Sequence, residues 1–340
     1  MKRLFVAAAV AVLMLSAPAS DVAAWGATGH RLIAVAAMRA LPETLPAFLR
    51  DPSAVAAVGE LAREPDRWKG GPRVHARGRD TAHFIDFDDS GHVLTPDGPH
   101  IDALPELRSQ YEQALTRAGL DVNDAGWLPY ALVDGWHQLT RDFAYWRVLR
   151  AAEARETDAG RRAWYGEDRR RREALILRDL GVWAHYVGDA SQPMHVSIHY
   201  NGWGDHPNPE GFTTSRQTHA LFEGQFVRRH VALPALEAAM PAPVDCDCPI
   251  ERRTAIYLGR TLDQVVPFYR LEKVGGFAEG DPRGVDFAVA RLAAAAAELR
   301  DLTVLAWAYS GELRVGWPAV AVADVEAGRV DPWDSLIGLD

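Results

Sequence analysis

Cysteine is scarce: two in 340 residues cannot build a disulfide scaffold. Cys246 and Cys248 stand one residue apart, the wrong spacing for a zinc knuckle, and leave a tight local disulfide or two idle thiols as the alternatives. Alternating β-branched runs are nearly absent, so an all-β or α/β fold has little support. The 28 glycines show no period, which excludes a collagen-like chain, and 48% hydrophobic residues exclude disorder. No Asn-x-Ser/Thr sequon occurs. Only three of the 37 basic residues are lysine, and the formal charge of −9 offers no basic face to a phosphate backbone.

What is present begins with a processing signal. Lys2 and Arg3 precede the apolar stretch Leu4–Leu15, and a small-residue site ends at Ala24. The stretch is shorter than the ~18 residues a bilayer span needs, and no other run approaches that length. Residues 1–24 are therefore expected to be a cleaved signal peptide, leaving an exported protein, periplasmic or extracellular, that begins at Trp25. The mature chain would keep 35 basic and 45 acidic side chains, a charge of −10.

Apolar residues at three-to-four spacing predict helices over 29–40, 53–63, 104–118, 127–154, 168–187, 214–230, 251–272 and 285–309. Pro and Gly clusters separate them. The expectation is an all-α fold with one mainly helical domain over 25–311 and an irregular tail over 312–340. The arginine-rich run Glu167–Leu180 reads as a solvated helix face paired with its own acids.

Two histidine–carboxylate pairs carry the chemistry. His185 and Asp189 share one helix face at i,i+4, and Pro193 ends that helix just before His195. His219 and Glu223 repeat the spacing, while Asp66, and His83 with Asp86 three residues on, lie upstream. Imidazole nitrogen and carboxylate oxygen are zinc donors. Each pair alone could equally be a helix-surface hydrogen bond.

In order and spacing, WGATGH (Trp25–His30), Asp66, His83, HYVGDASQPMH (His185–His195), His219 and Glu223 resemble the zinc-dependent single-strand nucleases of the S-one/P-one type. That family shares a superfamily with the bacterial zinc phospholipases C. The resemblance covers Trp25 to about Phe226 and implies a helical domain with a trinuclear zinc cleft. One zinc would be held by Asp66, His83, His185 and Asp189, and a second by His195, His219 and Glu223. The third would take the Trp25 amine and carbonyl, His30 and a bridging Asp189. Lys69 falls where the family keeps a cation against the scissile phosphate, and Asp86 where it keeps a carboxylate near the attacking water. Three zinc ions outweigh the three ligand carboxylates, so the cleft would be locally positive within an acidic protein.

The implied activity is that of a secreted zinc phosphodiesterase, an endonuclease on single-stranded DNA or RNA with possible 3′-nucleotidase action, working through a zinc-bridged hydroxide. Asn201 and Trp203, in the loop after His195, are the candidate substrate contacts; His199 and His206 are further candidates to line the cleft. The spacings from Trp25 to His30 and from His195 to His219 are closer to the nucleases, but there are two departures, and the second resembles the alternative, a phospholipase C acting on a phospholipid headgroup. The segment after QPMH differs from the nuclease pattern, and the last ligand is Glu223 where nucleases carry Asp. A third reading is an exported zinc-binding protein without turnover. No stable membrane insertion and no protein partner are expected.

Overall fold

The computed structural model describes residues 25–69 and 72–337; the leader and its cleavage site lie outside these residues. The fold is all-α, as the periodicity implies. Two long helices, Leu128–Arg155 and Ala159–Asp189, form a hairpin over a three-residue connection. Leu132, Trp136, Leu139 and Phe143 recur at three-to-four spacing and bury the inner stripe of the first. Ile176, Leu180, Trp183 and Val187 do the same for the second, and Trp183 Nε1 donates to Leu132 O at 3.0 Å. The Asp158 side chain caps this second helix by accepting from Arg161 N (2.8 Å), so the helix starts nine residues before the expected 168.

The helices Gly26–Arg39 and Pro282–Ser310 pack on this hairpin. Pro282–Ser310 presents Ala288, Leu292, Ala295, Ala296 and Leu299 to the core, and its small residues allow close approach. Where one helix over 251–272 was expected there are two, Ile250–Leu262 and Val265–Lys273. Pro267 explains the break. It has no N–H, and its ring would clash with the carbonyl four residues back if the helix continued.

The region expected as an irregular tail holds short regular elements. Arg314–Val315 pairs antiparallel with Val320–Ala321, and the helices Val322–Glu326 and Trp333–Ile337 follow. Val315, Val322 and Val325 pack against Ala144 and Val148 of the first long helix. Among the described residues no helix is long and apolar enough to cross a membrane. Cys246 and Cys248 are joined as a disulfide. The arginine run is paired as expected: Arg171 with Glu167, Arg169 with Glu153 and Glu173, and Arg172 with the buried Asp142.

Candidate metal centre and cleft

Helix ends bring the histidines together. His185 and Asp189 occupy the last turn of Ala159–Asp189, and the Gln192 side chain then turns the chain by accepting from Met194 N, which places His195 beside them. His30 arrives on Gly26–Arg39, whose approach requires a glycine opposite. A Cβ at Gly188 would stand 3.1 Å from His30 Nδ1 and 3.2 Å from Ile33 Cδ1. His219 and Glu223 meet on a segment that widens into a π-turn at Leu221–Phe226, a distortion that recurs at functional sites. Phe222, within that turn, is seated among Phe268, Phe277 and Phe287.

The resulting cluster is buried and dense. His83 Nδ1 is 3.0 Å from Asp189 Oδ2, His185 Nε2 is 3.3 Å from the same oxygen, and His30 Nε2 is 3.4 Å from Asp189 Oδ1. His185 Nε2 also lies 3.7 Å from Asp66 Oδ1. A few ångströms on, His195 Nε2 is 3.1 Å from Glu223 Oε1, and His219 contacts the same oxygen. Three sets converge tightly enough to share an ion: His30, Asp66 and His185; His83, His185 and Asp189; and His195, His219 and Glu223. The structure thus gathers the eight side chains that the sequence offered as candidate ligands.

The donor set fits a cation better than it fits itself. Both ring nitrogens of the fully buried His30 lack hydrogen bonds, as do Asp189 Oδ1 and Glu223 Oε2. Ring nitrogens face one another at 2.9 Å (His185 and His83) and 3.1 Å (His219 and His195), arrangements that a shared ion relieves. The outer ring atoms are fixed by backbone: His185 Nδ1 on Ala62 O at 2.8 Å, and His195 Nδ1 on His83 O at 2.6 Å. Such outer contacts set the tautomer that offers Nε2 inward.

Burial lowers the basicity of His30, His83 and His185, the last to about 4, so these rings are neutral ligands at neutral pH. Burial also raises Asp189 well above the usual carboxylate range, partly offset by His195. Glu223 is pushed up by burial too, but the His219 and His195 rings outweigh that and hold it at about 2. A bound cation would hold both carboxylates ionised.

Trp25 is buried at the start of its helix. Its indole donates to Gly188 O at 2.8 Å, one residue before Asp189, and its carbonyl accepts from Gly29 N at 3.1 Å. The carbonyl expected to chelate is thus engaged in the helix, and the peptide preceding Trp25 lies outside the described residues.

Above this floor opens a cleft of about 710 Å³, walled by Lys69, Phe84, Asp86, Leu94, Asn123, Asp124, Met194, Tyr200 and Asn201. Lys69 Nζ is held 2.7 Å from Asp66 Oδ1, at the edge of the cluster. Asp86 is buried, its Oδ1 has no partner, and burial followed by the nearby Asp124 raises its pKa well above the usual range. No hydrogen bond joins its side chain to a candidate ligand. It faces the substrate space beside Asp124, where the resemblance implied a post near the attacking water. Asn201 lines the cleft as expected, and its Oδ1 accepts from His219 N (3.4 Å).

Trp203 does not line the cleft. It is 4% exposed, stacked at 3.6 Å on His199, and its indole donates to Pro207 O. His199 is likewise fully buried beneath the loop, and His206 meets its ring edge, so neither lines the cleft. Phe84, Tyr200, Asn123 and Leu94 were not singled out from the sequence. Phe84 and Tyr200 adjoin His83 and Asn201, the one signal that could have found them. Leu94 holds a left-handed φ of 62° while its N–H donates to Asp86 O (2.7 Å), local strain at the cleft wall.

No protein-family profile matches this chain, and no curated protein matches it. Among solved structures, the alpha-toxin of Clostridium absonum aligns at a TM-score of 0.35 and 13% identity, covering 83% of this chain and 63% of the toxin. The alpha-toxin of Clostridium perfringens from an avian strain aligns at 0.35 and 12%, covering 86% and 68%. The chain therefore spans less than two thirds of the first toxin's length. A likeness this distant leaves the reading of the site to its own geometry.

Proposed function

We propose that this protein is a metal-dependent phosphodiester hydrolase, and the observation that carries the reading is the convergence of seven buried His, Asp and Glu side chains and the half-buried Asp66 beneath a lysine-edged cleft. Three zinc ions are the cofactors this donor set suits, placed as the resemblance implies, with the Trp25 backbone completing the third after leader removal. Zinc, when bound, supplies a nucleophile active at neutral pH and neutralises phosphoryl charge. Lys69 adds a cation at the cleft's edge, where it offsets charge developing on the phosphoryl oxygens. The buried imidazoles keep water out of the ligand shell and hold the carboxylates in fixed positions.

The substrate we place first is a phospholipid with a cationic headgroup. Phe84 and Tyr200 line the cleft with aromatic rings, and Asp86 and Asp124 with carboxyls, in the same cavity as Lys69. A ligand that joins a phosphodiester anion to an ammonium group satisfies both, the ammonium resting on aromatic rings. Among the described residues, a polyanionic strand meets only one Lys or Arg side chain in the cleft lining, Lys69. The second reading, single-stranded nucleic acid, is favoured by Asn123, Asn201 and the Asp86 carboxyl, which together could hydrogen-bond a base edge.

The test is one assay on mature protein beginning at Trp25, quantified for zinc, with phosphatidylcholine, single-stranded DNA, RNA and bis(4-nitrophenyl) phosphate, each with and without chelator. Chelator-sensitive release of the headgroup alone supports the first reading. Cleavage of nucleic acid alone replaces it with the second. Stoichiometric zinc with no turnover of even the activated diester overturns the hydrolase and leaves a zinc-binding protein.

A further inference from the structure

The two walls of the cleft come from separate segments. Phe84 and Asp86 lie on one, and Tyr200 and Asn201 on the other. Backbone bonds join them near the metal cluster: Ile85 N donates to His195 O at 2.9 Å and Ile198 N to Phe87 O at 3.0 Å. Beyond Ile198 that ladder stops, and the next link is made by side chains. His199 Nε2 lies 3.0 Å from Asp89 Oδ1, and its Nδ1 donates to Trp203 O at 2.9 Å. The ring is fully buried and stacked on Trp203, and Tyr269 Oη donates to the His199 carbonyl at 2.6 Å. His199 thus ties the Asp86 wall to the loop that follows Tyr200 and Asn201 through its ring, and to the helix Val265–Lys273 through its carbonyl.

The loop's other anchors hold it to that helix and not to the Asp86 wall: Trp203 and Phe212 pack on the Tyr269 ring, and Lys273 Nζ donates to Glu210 O. Glu210 pairs with Arg270 at 2.6 Å, but both side chains are largely exposed, and exposed pairs contribute little. From this the geometry points to His199 as a positioning residue: its bond to Asp89 sets the separation of the two walls, and so the fit of substrates large enough to touch both. His199 does not line the cleft, so it acts through Tyr200 and Asn201 and not on the reacting atoms.

Asp89 is the place to test this, since it is 67% exposed in its side chain and its truncation leaves the core intact. In the zinc-loaded protein, Asp89→Ala should raise KM about fivefold for the preferred large substrate, the effect of one lost hydrogen bond. Turnover of bis(4-nitrophenyl) phosphate, too small to span the walls, and zinc content should stay at wild-type values. Asp89→Asn keeps an acceptor oxygen and should restore KM. The kinetic arm rests on the hydrolase reading, so hydrogen exchange supplies a second one. The Trp203 amide, bonded to Thr213 O, should exchange about tenfold faster in Asp89→Ala and at the wild-type rate in Asp89→Asn. Faster exchange with higher KM supports the clamp, and faster exchange alone supports it where no diester is cleaved at all. Unchanged exchange overturns it, and so does faster exchange with unchanged KM in an active enzyme.

Discussion

His30 Nε2 stands 3.4 Å from Asp189 Oδ1, and neither atom makes a hydrogen bond although both side chains are fully buried. Each such orphan costs about 1–3 kcal/mol unless something else satisfies it. Gln192, which donates to Glu223 Oε1 at 2.6 Å, shows how the remaining lone pairs are managed. The cluster therefore reads as a destabilised core that a cation completes.

Metal removal should accordingly weaken the fold as well as the activity. Chelation is expected to lower the melting temperature, and zinc is expected to restore it, because binding energy to the folded site adds to folding energy. Asp189→Asn should abolish turnover and remove the zinc-dependent part of the melting shift. Near-normal turnover in that variant would overturn the shared role of Asp189.

Acid should act through the buried rings. His185 falls from its ordinary 6.5 to about 4 in the folded protein, and His30 and His83 shift the same way. Between those values these rings bind more protons in the unfolded chain than in the folded one, so their contribution to stability rises with pH. These rings should cost the chelated protein stability as pH falls from about 6.5 towards 4, against an opposing gain from Asp189 and Asp86, whose raised pKa makes the folded chain hold their protons more tightly. Glu223, held near 2, extends the loss below its ordinary 4.5. Thermal melts across pH 7.5–4, with His185→Gln flattening the upper part of the curve, check this.

Lys69 should matter to rate more than to assembly. Its ammonium is held by Asp66 at 2.7 Å and borders the cleft. Lys69→Met should cut kcat about 10²-fold, the usual cost of losing a group aimed at developing charge, with zinc content retained. Loss of zinc in that variant would assign Lys69 to holding Asp66 instead.

Tyr200 is 55% exposed at the cleft mouth, so its removal leaves the core untouched. If an ammonium rests on its ring, Tyr200→Ala should raise KM for phosphatidylcholine about fivefold, as for one partly solvated cation–π contact, with kcat unchanged. An equal effect on a phospholipid lacking the ammonium group would remove that contact from the account.

Much of this site was legible because its ligands are fixed by spacing. His185 and Asp189, four apart before Pro193, can only share a face, and the helix-ending turn then presents His195. Trp203 was not legible. An aromatic in a glycine-rich loop reads as exposed, yet Pro207 O and the His199 ring capture it from within the same loop. Phe84 and Tyr200 escaped notice because nothing in a single aromatic residue reveals which wall it joins. In the fold, the eight periodic segments emerged as helices, but the break at Asp263–Gln264 depends on Pro267, whose effect the surrounding apolar spacing hides.

Gly188 gives the sharpest structural test. It lies inside a long helix, where alanine is ordinarily favoured by up to ~1 kcal/mol. Here the added Cβ would stand 3.1 Å from His30 Nδ1 and 3.2 Å from Ile33 Cδ1. Ile33 and His30 are both fully buried, and the His30 ring is stacked on His185 at 3.7 Å, so neither neighbour has open space to move into. Gly188→Ala should therefore keep helix content while displacing His30 by a few tenths of an ångström from Asp189. The expected outcome is one zinc fewer per chain, or a clear loss of affinity for one, with the His195, His219 and Glu223 set still loaded. Zinc titration of the variant beside His30→Ala separates the cases, since both should lose the same ion. A Gly188→Ala protein that is more stable and fully loaded would mean that the two helices have room to part, and that His30 is not held to a single position.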